Sequence, residues 1–187
     1  MRVIRKRWAD LGSGDLARKV RFEKRQTYVN SITPGILLKC AGIVFTIDTE
    51  GEKPADKLKE LHAGSKKTSP EFPTAIGVAH PCIEAWLLAD PVAVAKGLNL
   101  AELPHATPSD PESLPAPHKE KKDDPKNHKN PKTTLGRYGG SDGPLGSKQT
   151  TAIARHVSLS HVEIVCPLGF KPFADEVRSH LLPLFHP

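Results

Sequence analysis

No stretch of this 187-residue chain approaches the ~20 consecutive apolar residues that a membrane-spanning helix needs, and hydrophobic residues make up only 37% of it. The first ten residues are basic but contain neither an apolar core nor a small-residue cleavage site, which argues against a secretory signal. Cysteine is scarce. Cys40, Cys82 and Cys166 are an odd, scattered set, which excludes a disulfide framework and a zinc knuckle. Each lies in an apolar stretch, as buried reduced thiols of a cytoplasmic protein do. Walker and GxGxxG loops are absent, the GxSxG-type match Gly139-Gly140-Ser141-Asp142-Gly143 reads as flexible linker, and the nine histidines show no HExxH spacing. No constellation for a catalytic nucleophile can be assembled from what remains.

What the chain does have is proline, 18 residues of it, and positive charge, a net +6. The charge is unevenly placed. The first 25 residues carry nine Lys and Arg, Arg5 and Arg7 among them, against three acids, an excess equal to that of the whole chain. A second run holds Lys119, Lys121, Lys122, Lys126, Lys129 and Lys132. Such clusters suit phosphate backbones through Coulomb attraction and counterion release; a solvated surface without a partner has the same composition.

The length fits one domain with a proper core. Residues 43–47, Ile-Val-Phe-Thr-Ile, read as a strand buried on both faces, as in a parallel sheet. A polar turn, Asp48-Thr49-Glu50-Gly51, follows, then a helical pattern over 54–63, a second strand over 72–79 and a helix from Pro81 through Leu88. Asp90-Pro91 interrupts it as a cap or turn, and 92–98 adds further helical turns. Towards the N-terminus, 3–8 reads as an edge strand, Asp15 as a helix cap and Pro34 as the first turn of a short helix. Residues 101–148 contain only five large apolar residues, Leu103, Leu114, Leu135, Tyr138 and Leu145, and read as a long irregular, mobile insertion. Order is expected again in a helix over 149–156, a strand over 162–165 and a helix over 171–182. Helices alternating with strands point to an α/β fold with a mainly parallel central sheet flanked by helices.

Ligands of such sheets gather at the carboxyl ends of the strands, where Asp48 and Glu50 stand with one residue between them. Hard cations such as Mg²⁺ are commonly held by one or two carboxylates plus water and phosphate; an ordinary acidic turn has the same spacing. Glu84 lies in the apolar block Ile83-Glu84-Ala85-Trp86-Leu87-Leu88-Ala89-Asp90. A carboxylate there requires a metal, a basic side chain or a helix N-terminus. His80, between strand and helix, is a site-edge candidate.

Five pieces then come in order: Trp8-Ala9-Asp10-Leu11, Ile47-Asp48-Thr49-Glu50-Gly51, Glu84-Ala85-Trp86-Leu87-Leu88-Ala89-Asp90, Asn130-Pro131-Lys132-Thr133-Thr134-Leu135 and Cys166-Pro167-Leu168-Gly169-Phe170. Together they resemble a bacterial family known as domain of unknown function four-two-seven-six, which is regarded as TOPRIM-like. The Glu-Ala-Trp-Leu-Leu-Ala-Asp block is the most specific piece. The resemblance implies a compact TOPRIM-like domain spanning 1–187, with an acidic site that holds Mg²⁺ or Mn²⁺ at nucleic-acid phosphates. It implies Asp48 and Glu50 as metal ligands and catalytic residues, Glu84 as a further catalytic residue and ligand that serves a second metal or orients the first, and Lys132 as a phosphate contact; the basic Lys126, Arg5 and Arg7 would serve nucleic-acid binding. Two features depart from the pattern: no apolar strand followed by Glu precedes Leu16, and Glu50 stands where an Asp is usual. Members are often encoded beside ATPases and in loci linked to bacterial defence. Two functions follow as expectations: a Mg²⁺-dependent nuclease, or a non-catalytic partner or regulator of an ATPase.

Overall fold

The computed structural model describes residues 42–68, 73–117 and 129–185. The expected elements near the N-terminus lie outside these residues, as do Cys40, Arg5, Arg7, Lys119, Lys121, Lys122 and Lys126. Among the described residues the chain is a mixed α/β structure with seven α-helices and one two-stranded parallel sheet, and no helix is long and apolar enough to cross a membrane.

Strand β1 (Ile43–Asp48) and strand β2 (Thr74–Ala79) are joined by helix α1 (Pro54–Thr68) and pair in parallel, Ile43 opposite Thr74 through Asp48 opposite Ala79. A parallel pair needs such a crossover, because its second strand must start again at the same end. The fully buried strand is β2. Strand β1 departs from the expectation of burial on both faces: Val44 is 55% exposed and Thr46 is exposed, while Ile43, Phe45 and Ile47 pack with Leu58, Leu61, Ile76 and Val78. The helices crowd onto β2, which leaves β1 one covered face.

Helices α2 (Ile83–Leu88) and α3 (Pro91–Gly97) are separated by Asp90, whose carboxylate caps α3 through the Ala93 N–H at 3.0 Å and also accepts the Ser158 N–H at 2.8 Å. The described residues of 101–148, namely 101–117 and 129–148, are not the irregular excursion that composition implied. They contain a short 3₁₀ turn (Pro111–Ser113), helix α4 (Pro131–Tyr138) and the start of α5 (Ser147–Ala154). Leu135 and Tyr138 are buried among Leu87, Leu88, Val94 and Ile153, and Leu103, Leu114 and Leu145 pack against that cluster. The sparse apolar residues of this stretch are all spent on one core, which composition alone does not reveal.

Helix α6 (Leu159–Val165) stands where a strand was expected. Val162 and Cys166 are buried four residues apart, a helical spacing, and the β-branched residues between them had masked it. Helix α7 (Phe170–His180) closes the outer edge of β2: the Glu176 carboxylate accepts the Ile76 N–H at 3.5 Å. Gly77 leaves room for the Phe173 ring, which would lie 2.7 Å from an added Cβ. Phe173 in turn stacks on Trp86, with ring centroids 5.6 Å apart.

Leu135 has no exposed surface, so Leu135→Ala is expected to cost about 2–5 kcal/mol, measured by urea denaturation. A loss under about 0.5 kcal/mol, typical of surface positions, would show that α4 is not part of the core.

Candidate functional site

The register of the sheet brings both strands to their carboxyl ends at one edge. Beyond Asp48 the pairing runs on, with Thr49 N–H donating to Ala79 O at 2.9 Å and Glu50 N–H to Pro81 O at 3.3 Å. Glu50 (φ 52°) and Gly51 (φ 96°) then adopt left-handed backbone and turn the chain away. Asp48 is thereby fixed at the edge. One of its oxygens accepts the Ile83 N–H at the start of α2, at 3.0 Å, and the other lies 3.4 Å from Lys132 Nζ.

Lys132 comes from 84 residues further along the chain. Asn130 caps α4 by accepting the Thr133 N–H at 3.0 Å, Pro131 occupies the first turn, and Lys132 follows. Burial by itself would push the Lys132 ammonium down, but the carboxylates of Glu84 and Asp48 outweigh it and hold its pKa above the ordinary lysine value. Glu84 sits in the first turn of α2 with Oε2 fully enclosed and without a hydrogen-bond partner. The Cys82 thiol is pushed far up, first by burial and then by the charge of Glu84 and a hydrogen bond to it. It is therefore a protonated neighbour rather than a thiolate nucleophile.

Asp48 is thus paired with Lys132, and Glu84 acts on the same ammonium through its charge. Glu50 stands on the rim of a cleft of about 500 Å³ that Asp48 also lines, together with Glu52 and Lys57, themselves paired at 3.1 Å. Among the described residues no three His, Cys, Asp or Glu side chains form a group that could hold a metal ion. In place of the expected set of three carboxylates, Asp48 is paired with Lys132, Glu84 lies within electrostatic reach of that lysine, and Glu50 lines the cleft with Asp48.

Sequence reading named His80 as a site-edge candidate but missed the cluster around it. The Thr49 hydroxyl, buried, lies 2.9 Å from His80 Nδ1 and 3.2 Å from Pro81 O. A hydroxyl has one proton, so when Thr49 donates to Pro81 O, His80 Nδ1–H must donate to Thr49. Burial lowers the His80 pKa, against the opposing charge of Asp110. Glu112 is buried and accepts the N–H groups of Leu168 (2.8 Å), Gly169 (2.7 Å) and Phe170. Burial nonetheless raises its pKa, outweighing these bonds. A Cβ at Gly169 would come within 2.7 Å of Val78 O and 2.9 Å of Glu112 Oε1, so the carboxylate can approach only glycine there. The one signal for Glu112 was its place after Asp110-Pro111, a cap followed by a first-turn proline.

No family model, curated protein or solved structure matches this chain.

The lowered pKa of His80 has a definite sign. Below its ordinary 6.5 the unfolded chain takes up this proton before the folded one does, so stability falls with pH through that region. Denaturation midpoints measured from about pH 7.5 to 5.5 are expected to fall more steeply for wild type than for His80→Gln. Parallel slopes would show that His80 is not held neutral by the fold.

Proposed function

We propose that this chain is a Mg²⁺- or Mn²⁺-dependent phosphodiesterase of the nuclease kind, acting on nucleic acid at the edge where β1 and β2 end. The observation that carries the reading is the enclosed, unpartnered Glu84 Oε2 beside Asp48. A buried carboxylate oxygen without a donor is costly, and a hard divalent ion is the ligand that oxygen donors of this kind fit. Two carboxylates suffice for Mg²⁺, which keeps several waters and takes further oxygens from substrate phosphate. Asp48 and Glu84 would hold the ion, and Glu50 would reach it through water from the cleft rim. When bound, the ion supplies charge to the phosphoryl oxygens and lowers the pKa of water. The chain's own groups do the rest: the α2 N–H orients Asp48, and Lys132 offers an ammonium to a phosphate oxygen.

A second reading rests on a specific observation as well. Lys132 already neutralises part of the carboxylate pair, as a purely structural ion cluster in a non-catalytic partner of an ATPase would.

Titration calorimetry with Mn²⁺ separates the two. Asp48→Asn is expected to weaken Mn²⁺ binding by at least about tenfold, since even supporting groups around a metal are worth that much, and to abolish cleavage of a labelled oligonucleotide. Identical Mn²⁺ binding by wild type and Asp48→Asn would reject the metal site. Reduced stability of the variant with no wild-type metal binding would favour the structural cluster.

A further inference from the structure

We propose that Lys132 is the site's built-in counter-cation, which must leave Asp48 before a divalent ion can enter, so that metal and a phosphodiester anion bind together rather than independently. This inference rests on the metal-dependent reading above and concerns how that site is regulated and loaded.

The geometry presents Lys132 as an occupant that can be displaced. Its Nζ lies 3.4 Å from Asp48, at the outer limit of a hydrogen bond, and its side chain is 33% exposed. A lysine head group on a four-carbon stem can swing into solvent without moving the backbone. That backbone is held in place separately, by the Asn130 cap and the buried Pro131. Nor does the ammonium satisfy Glu84, whose charge acts on it but whose Oε2 has no hydrogen-bond partner.

Charge then decides the order of events. Two carboxylates and one ammonium leave one net negative charge, enough to attract a divalent ion. Once that ion is in place the cluster is net positive by one. An ammonium and a divalent ion between the same two carboxylates repel strongly at this separation and partial burial, so the ammonium is driven outwards. A phosphodiester monoanion restores neutrality, accepts hydrogen bonds from the released ammonium and offers an oxygen towards the metal. Linkage makes the effect reciprocal: whatever the anion does for metal affinity, the metal does for anion affinity. The cluster therefore takes a metal–phosphodiester pair in preference to either component alone.

The test titrates Mn²⁺ into wild type, Lys132→Met and Lys132→Arg, each with and without dimethyl phosphate, a phosphodiester monoanion. Without the anion, Lys132→Met is expected to bind Mn²⁺ about tenfold more tightly than wild type, within the usual range of such couplings. Lys132→Arg keeps the charge and should not show the gain. Dimethyl phosphate should tighten Mn²⁺ binding to wild type and leave Lys132→Met unchanged. If removing the lysine destabilises the fold, the wild-type titration with and without the anion still tests the coupling. Equal Mn²⁺ affinity in wild type and Lys132→Met, or no effect of the anion on wild type, would overturn the inference while leaving the metal site intact. Failure of Mn²⁺ to bind to any of the three would overturn both.

Discussion

Parallel pairing of β1 with β2, from Ile43 against Thr74 to Asp48 against Ala79, is the constraint on which the rest of the structure depends. Because side chains alternate along a strand, this register decides which residues of the two carboxyl ends face which neighbours. A slip of one residue would turn Ile43, Phe45 and Ile47 away from Leu58, Leu61 and Val78. It would also lift Asp48 away from the Ile83 N–H. The continued backbone bonds of Thr49 and Glu50 extend this register past the strand into the turn, so the position of Asp48 is inherited from the core rather than set by the loop.

Around that edge the fold handles its enclosed carboxylates in two ways. Glu112 is surrounded by backbone donors from Leu168, Gly169 and Phe170 and requires no cation, and Gly169 provides the room. Asp90 likewise is saturated by Ala93 and Ser158. Glu84 is handled otherwise: the Cys82 thiol bonds to it, yet one oxygen is enclosed without a donor, and the Lys132 ammonium it acts on is paired with Asp48. Stable proteins leave few such groups unpaired; among the described residues the Trp86 indole N–H is the other one. The contrast within one molecule shows that this fold has donors at hand and uses them elsewhere.

Much of the strand–helix–strand–helix frame could be read from residues. Apolar β-branched runs marked both strands, and Asp90-Pro91 announced a cap that the structure shows. What escaped was decided by tertiary contacts. Val162 and Val165 favour a strand by composition, yet the segment is helical because Val162 and Cys166 must face the same core. The stretch from 101 to 148 looked too poor in apolar residues to fold, but Leu135, Tyr138 and three further leucines converge on helices α2, α3 and α5. A local signal was there in part: Asp90-Pro91, Asp110-Pro111 and Asn130-Pro131 each begin a helical turn with a capping side chain. For the site, Asp48, Glu84 and Lys132 were each identifiable singly. That Lys132 lies against Asp48, across 84 residues of sequence, could be seen only once α4 had a place in the core.

That last dependence ties stability to chemistry. Helix α4 buries Pro131, Leu135, Gly136 and Tyr138 on one face, which leaves Lys132 on its flank. Gly136 is the most closely approached of the described glycines: a Cβ there would overlap Gly143 O at 1.7 Å, so the 141–143 loop can close over the helix only because that side chain is absent. Tyr138 adds a hydrogen bond from its hydroxyl to Ala106 O at 2.9 Å, which fastens the helix to the segment before it. Together these residues determine where the ammonium of Lys132 can reach. If α4 shifted by even a fraction of a turn, two carboxylates would face each other without a cation, a repulsion that a partly buried pair relieves by taking up a proton, binding an ion or moving apart. The packing of an apolar face therefore sets the electrostatic state of the sheet edge.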